Sequence, residues 1–593
     1  MLAVYPARAD PGRVVAVVKR GKDVEFVAVE LSTGRRERLG PAPAAYVDAY
    51  WISADGRAVF RVDDPSGSEL GHLVRLGVDG AGPDLTPDWP DYTIRGGEAG
   101  ADGRLHVAAT VDASGFTLAF IDVPSDGSSP ASVRRLYHSR NEAWRPRLST
   151  DGTLAAIDTT DHTPGVRRFG VTVFETESGA RVGELTEPGE GSVVGVRFAP
   201  VPGDPRLLVS VQRASDGLAR PAVWDPTTGD LAAIPVEVAD DAELLALDWS
   251  RDAERMLVLV EDRAKQHLAV IRLEDGLRTE LDLPAGSFWD PLARRAWFGG
   301  GDDVLTTHES AGRSQRLLRC SPGAPAEVVL DSDLPPGVDA QWVTFESADG
   351  TPVQAWLLTP PGPGPYPAVV HVHGGPQLHV VDAYNPAGQA WVDHGFAFLD
   401  VNFRGSTGRG RQFFEEIWGR VGELALADVA AAADWLVSSG VARRDALVVT
   451  GASYGGFLTL LALGRQPERW AAGIAEVAIA DWSIAYRDAS AALQAAFRSW
   501  FGGEPGEVEE RYRASSPITY VDDVRAPVLI RQSRYDSRTP AAQLETYADR
   551  LRRRGADLEL DWFDAGHFLH ADADEMAHKV AFLRARGIAG EER

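Results

Sequence analysis

Cysteine is almost absent from this 593-residue chain: Cys320 stands alone, so no intrachain disulfide can form. No apolar run approaches the ~18–20 residues that a membrane-spanning helix needs. Met1-Leu-Ala-Val-Tyr-Pro-Ala-Arg8 lacks the basic start and hydrophobic stretch of a secretory signal. Together these point to a cytoplasmic protein with no membrane partner. Basic residues are outnumbered, 60 against 86 acidic, and only four of the 60 are lysines. The resulting formal charge of −26 disfavours nucleic acid and anionic membranes as partners and favours solubility. Histidine and cysteine are also too scattered for metal-ligand spacing, so neither a metal nor another cofactor is expected. With 44% apolar residues and this length, two large domains with ordinary cores are expected.

The first half of the chain repeats a turn signal followed by an apolar strand. Asp10-Pro-Gly-Arg-Val-Val-Ala-Val, Ala54-Asp-Gly-Arg-Ala-Val-Phe, Ala101-Asp-Gly-Arg-Leu-His-Val and Thr150-Asp-Gly-Thr-Leu-Ala-Ala open the series. Gly203-Asp-Pro-Arg-Leu-Leu-Val, Arg251-Asp-Ala-Glu-Arg-Met-Leu-Val and Asp290-Pro-Leu-Ala-Arg-Arg-Ala-Trp continue it. A spacing near the ~40–50 residues of a propeller blade predicts an amino-terminal all-β propeller of about seven blades, with six or eight compatible with the same pattern. A parallel β-solenoid would have shorter repeats.

The second half alternates short apolar strands with helical segments. Ala446-Leu-Val-Val-Thr450 reads as a buried strand and Phe457-Leu-Thr-Leu-Leu-Ala-Leu463 as the start of a helix. Between them Gly451-Ala-Ser453-Tyr-Gly-Gly456 has the G-x-S-x-G form of a nucleophile elbow, a sharp turn that lifts a serine hydroxyl above a sheet edge. Pro527-Val-Leu-Ile530 is a further strand, with Tyr535-Asp536-Ser-Arg-Thr-Pro540 just beyond it. Leu558-Glu-Leu-Asp-Trp-Phe563 alternates like a strand and runs into Asp564-Ala-Gly566-His567. Loops at the carboxyl ends of parallel strands share one crevice, which predicts that Ser453, Asp536 and His567 meet there. His567 would take the serine proton, and Asp536 would hold the imidazole in the required tautomer. Asp536 could alternatively cap the following helix. His570 is the rival base, and the preceding glycine and strand-end position favour His567.

An oxyanion formed at Ser453 needs two fixed donors. The N–H of Tyr454, next after the nucleophile, is one. The other is expected from Gly374-Gly375-Pro376 after the strand Ala368-Val-Val-His-Val-His373, with Gly375 preferred to Gly374. His371 and His373 alternate on that strand without a third ligand at sensible spacing, so they read as buried, hydrogen-bonded histidines.

His373-Gly-Gly-Pro376, Asn402-Phe-Arg-Gly-Ser-Thr-Gly408, Gly451-Ala-Ser-Tyr-Gly-Gly456, Asp536-Ser-Arg-Thr-Pro540 and Gly566-His567, in this order, resemble the prolyl oligopeptidase family of serine peptidases. The resemblance is greatest to its acylaminoacyl-peptidase branch and covers roughly residues 340 to 585. It implies a propeller over residues 1–333 and an α/β-hydrolase domain over 334–593, with the propeller as a cap that admits short peptides or small acylated molecules. It implies Trp482 as a pocket-lining aromatic, with a plain core tryptophan as the alternative. Arg538, two residues beyond the acid, is expected to reach a substrate carbonyl or carboxylate, or else to pair with a neighbouring carboxylate. Homo-oligomers are common in the family, although no feature here demands one. Ser533 and Arg534-Tyr535 depart from the family's small residues before the acid, and Arg409 stands where a tyrosine is common. The chain also opens into strand-like sequence where many relatives begin with a helix. The expected function is a serine peptidase acting on short peptides through an acyl-enzyme. The alternatives are an esterase or amidase on a small acylated metabolite, and a propeller-based binding protein with a vestigial hydrolase domain.

Overall fold

The computed structural model describes residues 3–21, 23–42, 50–64, 69–123, 131–236, 239, 242–288, 296–332, 334–564, 566–567 and 573–588. Contacts divide the chain into two units, Met1–Glu309 with Gln315–Asp333, and Ser310–Ser314 with Leu334–Arg593.

The first unit is a seven-bladed β-propeller: its described strands form seven four-stranded sheets. The first blade comprises Ala3–Pro6, Arg13–Arg20, Asp23–Glu30 and Arg36–Pro41. The seventh comprises Ala296–Phe298, Val304–Ser310, Arg313–Cys320 and Glu327–Asp331. Six of the repeated turn signals lie between the first and second strands of a blade, and aspartate side chains build several of them. Asp55, Asp102, Asp151 and Asp252 each accept the N–H two residues on, at 3.0–3.1 Å, the geometry of an Asx turn. The seventh signal, Asp290 through Arg295, lies outside the described residues; in that blade the turn between the first two strands is Gly299-Gly-Gly-Asp-Asp303, closed by Gly299 N–H donating to Asp303 O at 2.8 Å. The glycine run turns the chain without the Asp-Gly-Arg pattern of the other blades. Blades pack face to face through apolar clusters such as Trp51, Phe60, Ile94 and Ala108. Val4, Val14 and Val27 of the first blade pack with Trp297, Leu305 and Leu317 of the seventh, so side chains close the ring.

The second unit holds an eight-stranded sheet. Its strands are β1 (Gln341–Glu346), β2 (Pro352–Leu358), β3 (Tyr366–Val372), β4 (Ala397–Asn402), β5 (Ala442–Ala452), β6 (Ala472–Glu476), β7 (Val528–Ser533) and β8 (Leu558–Phe563). They lie in the order β1-β2-β4-β3-β5-β6-β7-β8. β1 and β2 pair antiparallel, as do β2 and β4, and every other pair is parallel. The central strands are continuous apolar runs because both faces are covered. After the short α2 (Gly410–Glu415), α3 (Glu423–Ser438), α4 (Tyr454–Arg465) and α8 (Ala541–Arg553) lie on one face through Val429, Leu458 and Leu544. On the other lie α1 (Pro386–Asp393) and α9 (Ala573–Arg584) through Trp391, Val580 and Leu583. Between β6 and β7 the chain forms α5 (Trp482–Asp488), α6 (Ala491–Phe501), α7 (Glu509–Ser515) and a 3-10 segment, Pro517–Asp523. This is an α/β-hydrolase fold.

Candidate active site

The turn from β5 into α4 is as tight as the glycines suggest. A Cβ added to Gly455 would lie 1.9 Å from the Val372 carbonyl oxygen, and one added to Gly451 would lie 2.3 Å from it. At Gly456 it would lie 2.6 Å from Glu476 O. These glycines let the elbow press against the ends of β3 and β6. Ser453 takes φ 58° and ψ −119°, a conformation costing about 1–3 kcal/mol that the surroundings must enforce. Its N–H donates to Glu476 O at 2.9 Å, and its carbonyl accepts from Phe457 N–H at 2.9 Å. Ser453 takes part in the described hydrogen bonds through its backbone alone, and its side chain is partly exposed. Gly455→Ala should therefore destabilise the hydrolase domain by about 3 kcal/mol, through overpacking against backbone. A urea midpoint matching wild type would contradict the tight turn.

The loops after β7 and β8 converge. His567 Nδ1 lies 2.9 Å from both Asp536 oxygens, and their side chains are 7% and 0% exposed. Asp536 Oδ1 also accepts from the N–H groups of Arg538 at 2.9 Å and Thr539 at 2.8 Å, and Oδ2 accepts from Thr539 Oγ1 at 2.7 Å. Burial pushes the Asp536 carboxyl up, but the His567 charge and hydrogen bond, with the Thr539 donors, outweigh it and hold it below the ordinary carboxylate value. A carboxylate only accepts, so Nδ1 donates, and in neutral imidazole Nε2 carries the lone pair that can take a proton. Asp536 does not cap α8, whose N-cap is Pro540 and carries no side-chain cap. His570 lies outside the described residues.

Two donor candidates flank the serine. Tyr454 is the first residue of α4, so its N–H has no partner within the helix. Gly374 lies against Ser453: a Cβ there would be 3.5 Å from Ser453 Cβ and 3.3 Å from Ala452 O. Gly375 adopts φ +121°, which a side chain would strain. The loop is set from behind by His373, whose Nδ1 donates to Gly374 O at 2.7 Å while Nε2 meets Ser406 Oγ at 2.8 Å. Burial lowers its pKa to about 4, so it is neutral near pH 7. His371 pairs instead with Asp400 at 2.6 Å; burial lowers its pKa, but that charge and hydrogen bond outweigh burial and raise it. Both histidines have ordinary hydrogen-bond partners, and among the described residues no group of three or more His, Cys, Asp or Glu could hold a metal ion.

The pocket residues divide. Trp482 is 0% exposed, enclosed edge-on by Phe457, Phe497, Trp500 and Phe501 and tilted against Tyr454 at 6.3 Å. It has no surface to offer a substrate, which corrects the expectation of direct contact: it packs beneath Tyr454. Arg538 is half-buried beside the acid, which it serves through its backbone N–H. Arg409, the departure from tyrosine, stacks its guanidinium over Phe413 at 4.1 Å. Asp302 and Asp303 serve a blade turn and its ion pairs. Sequence reading missed Thr539, although an acceptor–x–x–Thr spacing is a familiar turn pattern. It also missed Glu476 and Ser406, whose partners are distant in sequence.

A strained serine at a strand-to-helix turn, with an Asp–His pair on later strand-end loops, is the arrangement of a serine hydrolase of the α/β type. Residues 384–586 match the family model described as "Prolyl oligopeptidase family". Dipeptidyl-peptidase 5 of Porphyromonas gingivalis is 25% identical over 392 residues, 61% of this chain and 54% of the relative. Acylamino-acid-releasing enzyme 2 of Oryza sativa subsp. japonica is 30% identical over 209 residues, 33% of this chain and 27% of the relative. The chain thus spans about half the length or less of these curated relatives. A crystal structure of puromycin hydrolase superposes with a TM-score of 0.80 at 21% identity, covering 99% of this chain and 94% of that one, a likeness of fold.

Proposed function

We propose that this chain is a serine peptidase that hydrolyses short peptides by acyl transfer, with residues 334–593 as its catalytic domain. The observation that carries the reading is the Asp536–His567 pair on the loops that follow β7 and β8, at the same carboxyl-end edge of the parallel sheet as the strained Ser453 after β5. Ser453 Oγ attacks the scissile carbonyl as His567 Nε2 takes its proton, and Asp536 stabilises the imidazolium. The tetrahedral oxyanion is held by the N–H of Tyr454 and that of Gly375, or of its neighbour Gly374. His567 then protonates the leaving amine, and water repeats the sequence on the acyl-enzyme. The names of the relatives support substrates cut near the amino terminus, N-acylated or unblocked. Arg538 reaches a substrate carbonyl or carboxylate, or else pairs with a neighbouring carboxylate, and the enzyme works in the cytoplasm without a metal or other cofactor.

Purified protein should cleave aminoacyl and acyl-aminoacyl p-nitroanilides with kcat/KM at least about 10⁴ M⁻¹ s⁻¹, the low end of ordinary enzymes. Turnover of p-nitrophenyl esters with no amide cleavage would favour the esterase reading. No turnover of either class, with folding confirmed by circular dichroism, would favour a binding protein.

A further inference from the structure

β6 reads Ala472-Gly-Ile-Ala-Glu476, and its last residue carries a carboxylate that is 9% exposed. The Glu476 backbone carbonyl accepts the Ser453 N–H, so this residue already supports the elbow. Its side chain faces two cations: Oε1 accepts from Arg531 Nη1 at 3.1 Å and Oε2 from Lys579 Nζ at 2.7 Å. Arg531 is the cross-strand neighbour of Glu476 on β7, the strand that leads to Asp536. Its Nε reaches Asp561 Oδ2 at 3.0 Å, the neighbour on β8, the strand that leads to His567. Lys579 lies on α9, the helix that follows the His567 loop, and also bonds Glu575 Oε1 at 2.6 Å one turn earlier. Glu575 Oε1 in turn meets Arg531 Nη1 at 3.0 Å. The Arg531, Glu575 and Lys579 side chains are 11%, 8% and 7% exposed.

One buried ion cluster therefore ties β7 and β8, the strands that lead to the acid and the base, and β6, whose backbone holds the Ser453 turn, to the helix beyond the base. A buried cluster of this kind adds little net stability, since desolvation offsets the attraction, but breaking it leaves a stranded charge. What it does supply is a fixed geometry. The apolar contacts of α9, through Met576, Val580 and Leu583, are non-directional and hold the helix on the sheet whether or not the ions are present. The choice of cation fits a tight bridge: Lys579 is one of four lysines among 60 basic residues. A compact ammonium can serve two carboxylates from one point, where a planar guanidinium needs more room. Burial pushes the Glu575 carboxyl up, but Lys579 and Arg531 more than reverse this.

We propose that Glu476, Arg531, Glu575 and Lys579 are positioning residues whose ion cluster locks α9 to the strand ends and so fixes the His567 loop relative to Ser453. The assignment rests on the triad reading, and wild-type turnover and fluorophosphonate labelling of Ser453, measured in parallel, test that reading separately. Lys579→Met keeps the apolar stem and removes the charge. Its kcat on an aminoacyl p-nitroanilide should fall by about 10–100-fold, the scale of a lost supporting contact or a 1 Å misplacement. KM should stay within about twofold. Lys579→Met/Glu575→Gln removes one charge of each sign, so it should melt close to wild type and still show the same fall in kcat, because Glu476 has lost its tie to α9. A wild-type kcat per titrated active site in the folded double variant would overturn the proposal, whatever the melting temperature of the single variant.

Discussion

Ser453→Ala is expected to lose roughly a millionfold in turnover, the scale seen when the nucleophile of a serine triad is removed. The loss should come without a change in melting temperature. Alanine keeps the Cβ, so at φ 58° it bears the same backbone strain as serine. The N–H to Glu476 O and the carbonyl to Phe457 N–H are backbone bonds that survive the change. The hydroxyl takes no part in the described hydrogen bonds, so its removal strands no partner. Steady-state assays together with thermal melts followed by circular dichroism check both halves. A lowered melting temperature with proportionately reduced activity would mean that Ser453 is a structural residue of the turn.

Asp536→Asn should reduce kcat by about 10⁴-fold, with binding little changed. The carboxylate accepts from two backbone N–H groups on Oδ1, from Thr539 Oγ1 on Oδ2, and from His567 Nδ1 on both. The asparagine oxygen can replace Oδ1, since the N–H groups of Arg538 and Thr539 require an acceptor there. The amide NH₂ then takes the place of Oδ2 and donates towards Nδ1. That drives the proton to Nε2, so the ring can no longer accept one from Ser453. The two-sided grip of Thr539 makes the loop itself tolerant of the change. An Asn variant with near wild-type kcat would show that Asp536 only shapes its turn.

Much of this site was legible in the chain because its parts are local. β5, β7 and β8 are short apolar runs that end at polar loops, and the glycines around Ser453 announce a turn that no other residue could make. The order of serine, acid and base then placed the three loops on one sheet edge. Burial was harder to read. Trp482 occupies a segment that suggests a pocket wall, yet it lies at the centre of five aromatic rings, because nothing local separates a lining tryptophan from a core one. The seventh blade turn was missed because Gly299-Gly-Gly lacks the Asp-Gly signal. Glu476, Arg531 and Lys579 were invisible as a group: they lie on three separate elements, and only strand register and helix docking bring them together.

Ser453 should be the one activated hydroxyl of the chain, and peptide mapping after reaction with a fluorophosphonate tests this most directly. The adduct should be found on Ser453, with stoichiometric labelling of the native protein and none after urea unfolding. Folded protein that stays unlabelled, or that carries the adduct on a different residue, would contradict it.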